Sequence, residues 1–251
     1  AYAAENAENQ RKQFVSNVSH ELRTPMTIIS GYVDGMLDGT VPKNKRMQYL
    51  SIVSQEMQRL KILISSMLNL TKFDNGTIEI HYQLFPIQDL AFRTILMFES
   101  RLEKRNITLE GLNSEPVQVW GDPDLIGQVI YNLFENATKF VNTGGTITFT
   151  FKDEPNSTSI AIRNTGAGIS KEELPKIFER FYKSDDSRSH DKTGLGIGLD
   201  ITKHIVRLHK AQISVSSEEG EYTEFLIRLP KKDAPAESPT ENPEKQPKDA
   251  R

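Results

Sequence analysis

Apolar side chains at Phe14, Val18, Leu22, Met26, Ile29, Val33 and Met36 fall at spacings of four, four, four, three, four and three, the rhythm of one helix face. The run spans about residues 5–39, and Asp38, Gly39, Thr40, Val41 and Pro42 stop it. A second run over about 45–73 repeats the pattern through Tyr49, Ile52, Val53, Met57, Leu60, Leu63, Ile64, Met67 and Leu68, and Asp74-Asn75-Gly76 ends it. Two long amphipathic helices joined by so short a turn fold back as an antiparallel hairpin. Such a hairpin buries too little alone, and a second copy completes it as a four-helix bundle, so a homodimer is expected.

After Gly76 the rhythm changes. Short β-rich runs (77–82, 107–109, 146–151, 159–163, 212–216 and 223–229) alternate with helical stretches at about 86–104, 122–140, 171–178 and 197–209. The expected fold is therefore multidomain: an all-α helical hairpin over residues 1–75, then an α/β two-layer sandwich over 76–230. From Lys231 to Arg251 the chain reads KKDAPAESPTENPEKQPKDAR, with Pro at 235, 239, 243 and 247 and no large apolar residue, and is expected to be a disordered tail.

Composition removes several classes. With 31 basic and 34 acidic residues and a net charge of -3, the chain has no basic excess to favour nucleic acid, and none is expected as a partner. The lack of cysteine excludes disulfide scaffolds and thiolate metal sites. No stretch approaches the 18 or so apolar residues needed to cross a bilayer. The opening AYAAENAENQ carries neither an initiator Met nor a signal-peptide pattern and reads as part of something longer.

On a helical wheel the first seam centres on Val18, Leu22, Ile29 and Val33, and His20 lies about 160° from it. His20 is therefore expected to face solvent. Glu21 follows it, Thr24 stands one turn on, and Pro25 removes a helix hydrogen bond just beyond the cluster. A lone exposed histidine ordinarily does nothing; this one has an acidic neighbour and a hydroxyl on its own face.

Ser19-His20-Glu21-Leu22-Arg23-Thr24-Pro25 resembles the H-box of the dimerisation and phosphotransfer domain of bacterial sensor histidine kinases. Further boxes follow in that family's order. Asn132-Leu133-Phe134-Glu135-Asn136-Ala137-Thr138-Lys139-Phe140 is similar to the N-box, and Asn164-Thr165-Gly166-Ala167-Gly168-Ile169 to the first glycine box. Ile177-Phe178-Glu179-Arg180-Phe181-Tyr182 resembles the F-box, and Thr193-Gly194-Leu195-Gly196-Ile197-Gly198-Leu199 the second glycine box. There is no G-x-x-x-x-G-K-[ST] loop and no H-R-D or D-F-G set of other phosphoryl-transfer folds.

The resemblance implies a sandwich of the histidine-kinase and Hsp90-like ATPase type and a chain that autophosphorylates His20 from ATP, then passes the phosphoryl group to an Asp of a response regulator. Glu21 would accept the imidazole proton, and Thr24 would serve dephosphorylation of that regulator. Magnesium would sit on Asn136 and Asn132. The nucleotide would meet Lys139, Lys183, Asn164, Gly166, Gly168, Phe178, Phe181, Gly194, Leu195, Gly196 and Gly198. Residues 183–192, KSDDSRSHDK, would form a mobile lid. The resemblance also implies a cytoplasmic core whose full-length protein sits in the cell membrane through other segments.

The sequence departs from the family at Asn164, where an Asp usually meets the adenine amine, at Lys210-Ala211-Gln212, and at Tyr222-Thr223-Glu224-Phe225. An Asn there is expected to weaken ATP binding about fivefold, the difference between a charged and a neutral hydrogen bond, and to relax discrimination against GTP. Two rivals remain at this level. A hydrolytic ATPase of the same superfamily would place a Glu four residues before the metal-binding Asn, where this chain has Asn132; a weakly catalytic dimeric scaffold or phosphatase would draw support from Asn164.

Overall fold

The computed structural model describes residues 2–75, 77–112, 115–180, 182 and 196–232. Helices α1 (Tyr2–Leu37) and α2 (Arg46–Asn75) form the expected hairpin, joined through a short 3-10 turn at Lys43–Lys45. The turn is built from its sequence: Gly39 takes a φ of 86°, and the Asp38 carboxylate accepts from the Thr40 amide at 2.8 Å. Arg46 donates to the Met36 carbonyl at 3.1 Å, and Tyr32 stacks on Tyr49 with centroids 4.7 Å apart.

The seam predicted for each helix is not buried as a unit. Met26, Met57, Ile64 and Leu68 are exposed, while Val18, Ile62, Leu63 and Met67 pack against the core of the following domain. Two helices cover only part of a wide apolar stripe, so the hairpin of a single chain keeps an open apolar side.

The second domain is a five-stranded sheet, β2 (Thr108–Glu110), β4 (Thr146–Asp153), β5 (Ser157–Thr165), β6 (Gln212–Glu218) and β7 (Tyr222–Pro230), in the order β2-β4-β5-β7-β6. The β2–β4 pair is parallel and the rest antiparallel. Helices α3 (Ile87–Lys104), α4 (Pro123–Phe140) and α5 (Gly198–Leu208) complete the layer above it. Alternation decides which sheet face is covered: Ile147, Phe149 and Phe151 of β4 and Phe225, Ile227 and Leu229 of β7 turn inward. Phe134 of α4 meets Phe98 edge-on and Phe149 of the sheet, both at 5.4 Å between centroids. The carboxyl end of α4 is held by Arg105, whose guanidinium donates to the carbonyls of Thr138 and Val141, a cation at the negative end of the helix.

Three expectations fail locally. Among the described residues the run 77–82 forms no strand; the strand there is β1 (Gln83–Pro86), which joins β3 (Gln118–Gly121), a strand the periodicity missed. Residues 171–178 form successive turns rather than a helix, because Pro175 supplies no N–H and disfavours helical backbone before it. The tail does not begin at Lys231: its amide donates to the Asn156 carbonyl at 3.0 Å and its Nζ lies 2.7 Å from Asp153, while Lys232 lies 4.9 Å from the Trp120 ring centroid. Residues 233–251 fall outside the described ones.

The connection into the sandwich is fastened at Asp122. One carboxylate oxygen caps α4 by accepting from the amides of Asp124 and Leu125, and the other accepts from the His81 amide at 2.9 Å. The Asp122 amide donates to Nε2 of His209 at 3.0 Å, and Nδ1 of His209 donates to the Ile205 carbonyl at 2.8 Å. Gly121 permits this approach, since a Cβ there would lie 2.4 Å from Ile126 and 3.2 Å from the His209 ring. The Tyr82 ring closes over His209 at 5.5 Å.

Because Nε2 accepts, the clasp needs neutral His209, and burial accordingly lowers its pKa below the usual 6.5, against the opposing pull of the Ile205 carbonyl and Asp122. The unfolded chain, with an ordinary histidine near 6.5, then takes up protons that the folded chain refuses. The melting temperature is expected to hold above about pH 6.5 and to fall as acid carries the pH toward the lowered folded value, a slope that His209→Gln should flatten in scans across that range.

Candidate nucleotide cleft and phosphoacceptor helix

The cleft exists because α4 is apolar on one side and polar on the other. Val129, Ile130, Leu133, Phe134 and Ala137 are buried, whereas Asn132, Asn136 and Lys139, at helical spacing, border a cavity of about 230 Å³. The opposite wall is the start of α5, with Gly196, Ile197, Gly198 and Leu199; Asn164 and Gly168 close one end and Thr223 and Phe225 lie beneath. The hairpin forms the remaining side through Glu21, Pro25, Arg59, Ile62 and Leu63.

The two long walls are tied by Asn132. Its Nδ2 donates to the Gly198 carbonyl at 3.0 Å and lies 3.4 Å from the Thr202 hydroxyl, so the amide that the sequence offered as a metal ligand also holds the second glycine box in place. Asn136 stands half-buried on the same face of α4. Lys139 lies 3.5 Å from Glu135 Oε1. An ion pair of Arg180 with the buried Asp200, at 2.9 Å and backed by His204 at 3.3 Å from the other Asp200 oxygen, fixes the first turn of α5.

Asn164 is buried, and its Nδ2 donates to the Thr165 carbonyl at 3.0 Å, which leaves Oδ1 as the acceptor it offers. Gly168 has a φ of 71°, and a Cβ there would lie 2.2 Å from the Glu218 carbonyl oxygen, so the close turn admits no larger residue. Gly166 plays another part: it is buried beside the Phe140 carbonyl, away from the cavity wall. Phe178 likewise stands behind the cleft, edge-on to Phe225 at 6.2 Å. Phe181, Lys183, Gly194 and Leu195, with the expected lid 183–192, lie outside the described residues.

His20 is exposed, as its wheel position predicts, and does not line the cavity; Glu21 beside it is buried and does. The Thr24 hydroxyl donates back to the His20 carbonyl at 3.2 Å. Sequence reasoning missed Tyr131, Glu135, Thr223 and the hairpin residues Arg59, Ile62 and Leu63. Glu135 was legible within the asparagine box, one turn before Lys139, but nothing local to Arg59 announces a site assembled from distant segments.

Residues 10–76 match the His Kinase A (phospho-acceptor) domain, and residues 121–233 match the family of histidine kinase-, DNA gyrase B- and HSP90-like ATPases. Sensor protein SrrB of Staphylococcus aureus is 34% identical over 228 residues, 90% of this chain and 39% of that protein, so the chain spans about two fifths of the length of the curated relatives it matches. Among solved structures, Acinetobacter baumannii histidine kinase AdeS shares the fold (TM-score 0.56, 23% identity, 85% of this chain and 98% of that one). The catalytic domain of histidine kinase ThkA matches at 27% identity and TM-score 0.51, covering 60% of this chain and 97% of that one. ThkA in complex with response regulator protein TrrA shares the fold over 92% of this chain and 66% of that one, at 24% identity and TM-score 0.54. A phospho-acceptor hairpin followed by an ATP-binding sandwich defines a two-module phosphotransfer core. The chain belongs to the bacterial sensor histidine kinases.

The Asn164 geometry bears on one sequence expectation, the choice between ATP and GTP. With one Nδ2 hydrogen given to Thr165, Oδ1 can accept from an adenine amine, and a guanine carbonyl would be limited to the one N–H that remains. Leaving such a buried group unsatisfied costs about 1–3 kcal/mol. Calorimetric titration with non-hydrolysable analogues should therefore show ATP preferred over GTP by roughly tenfold or more.

Proposed function

We propose that the chain phosphorylates itself on His20 from ATP and hands the phosphoryl group to an Asp of a response regulator. The observation that carries this reading is that the helix bearing the exposed His20 also supplies Glu21 and Pro25 to the wall of the asparagine-lined cavity. The parts of a phosphotransfer site therefore belong to one junction.

The nucleophile is an unprotonated imidazole nitrogen of His20. As it bonds to the γ-phosphorus, the bond to the ADP oxygen breaks in line, and Glu21 takes the imidazole proton. Oδ1 of Asn164 holds the adenine, Gly168, Gly196 and Gly198 let backbone approach the nucleotide, and Lys139, with Lys183, meets the phosphates. Among the described residues no group of three His, Asp or Glu is placed to hold a metal, so a cation would be held by amide and phosphate oxygens. That donor set fits magnesium, a hard ion that keeps several waters, with Asn136 and Oδ1 of Asn132 as the protein donors. Its contribution when bound is neutralisation of phosphate charge.

The exposed Met26, Met57, Ile64 and Leu68 support a homodimer through the hairpin, as the phospho-acceptor domain implies. ThkA, whose fold the chain shares, has been solved with a response regulator, which supports a receiver domain as the partner. No helix among the described residues is long and apolar enough to cross a membrane; sensor-protein relatives of greater length support a membrane-bound whole.

His20→Gln should abolish acid-labile phosphate after incubation with labelled ATP while leaving nucleotide affinity intact, because the side chain is exposed and takes no part in packing. Persistence of the label would exclude this reading. Thr24 donates its proton to the His20 carbonyl and keeps lone pairs for water, so Thr24→Ala should spare autophosphorylation and slow decay of the phosphorylated regulator several-fold. Decay assays with purified partner check it.

A further inference from the structure

Helix α4 ends at Phe140, and the carbonyls of a helix's last turn have no partner within it. Arg105 supplies donors from outside. Its Nη1 donates to the Thr138 carbonyl at 2.7 Å and, more distantly at 3.5 Å, to that of Lys139, and its Nη2 donates to the Val141 carbonyl. The main chain of Arg105 is tied to the same segment, since the Gly144 amide donates to its carbonyl at 2.9 Å. Asn106 follows with a φ of 53°, a left-handed residue that turns the chain from α3 toward β2 and leaves Arg105 between the ends of α3 and α4.

Arg105 is half-buried and does not border the cavity, whereas Lys139 and Phe140 of the turn it grips do. A guanidinium is a flat, rigid fork, so carbonyls gathered on it fix the backbone over 138–141 in a way that non-directional apolar packing does not. Lys139 lies in that stretch. Its ammonium is a compact charge on a long stem, and where it can reach depends on where its backbone stands. The adenine end of the cavity is anchored differently. Asn164 lies within β5, opposite Ile147 of β4 and Thr223 of β7, so the sheet ladder holds it independently of Arg105. Val141 does bridge to Gly166, but the Gly166 amide also donates to the Glu221 carbonyl at 3.0 Å, which holds that contact from the sheet side.

We propose that Arg105 is a positioning residue of the nucleotide site: by gathering the closing carbonyls of α4 it places Lys139 against the phosphates, and it governs affinity for the triphosphate without touching the nucleotide. This rests on the ATP site and the Lys139 role given above.

The full chain and its Arg105→Met, Arg105→Lys and Lys139→Met variants, singly and combined, are titrated calorimetrically with a non-hydrolysable ATP analogue, and adenosine binding is followed by NMR chemical shifts. Arg105→Met, which keeps the stem and removes the donors, is expected to weaken the analogue about tenfold and adenosine less than about twofold. Arg105→Lys, which keeps the charge without the fork, should restore most of the loss. In the Lys139→Met background, removing the Arg105 donors should weaken the analogue by less than about twofold more, because residues acting through one contact are not additive. Equal weakening of analogue and adenosine would mean that Arg105 only steadies the fold, and overturns the proposal. Unchanged affinity in Arg105→Met, or additive losses in the combined variant, overturns it too. If Arg105→Met fails to fold, Arg105→Lys completes the same cycle: a loss of about two- to threefold that disappears in the Lys139→Met background is expected, and no loss overturns the role. Failure of the unsubstituted chain to bind the analogue removes the ATP site and Arg105 with it, whereas binding indifferent to Arg105 removes Arg105 alone.

Discussion

The amide of Asn132, reaching across to the Gly198 carbonyl, joins the two helices that form the long walls of the cavity. That bond is directional, whereas the apolar contacts around it are not, so it helps set the width of the gap. Apolar burial fixes that the helices lie on the sheet; hydrogen bonds fix where along it they stop. The Arg180–Asp200 pair acts in the same sense at the first turn of α5, and Arg105 does so at the far end of α4. The cleft is thus a gap of set dimensions between elements held from several directions.

Most of this was readable where the information is local. The seam spacing from Val18 to Val33 yields helix α1 and the exposure of His20, because a helix wheel needs nothing beyond its own sequence. The asparagine box yields the polar side of α4 for the same reason. What escaped depends on partners far along the chain. Strand β3 was missed because Gln118–Gly121 is short and its meaning comes from pairing with Gln83–Pro86. Gly166 resembles a phosphate-loop glycine but is required by the Phe140 carbonyl packed beside it. The turns at 171–178 mislead in a different way, since their apolar spacing imitates a helix that Pro175 forbids.

The departure at Asn164 shows how one neighbour alters a chemical reading. Taken alone, an amide can present either its oxygen or its nitrogen to a base. The Thr165 carbonyl takes one of the two amide hydrogens and fixes how the group is turned, so a side chain that looked free to rotate has a set orientation. The clasp around His209 follows similar logic, with both ring nitrogens engaged and a single tautomer permitted.

The order of the sheet has a temporal consequence. Strand β5 is central, and of its two neighbours β4 precedes it directly, while β7 arrives only after α5 and β6 have been made. During synthesis the hairpin, built from near-neighbour contacts, can form long before the sandwich. The sheet must wait with β5 half-paired until residues near 230 emerge. For that interval the nascent chain carries its helical hairpin alongside an open strand edge, and the edge is sealed only when β7 has left the ribosome.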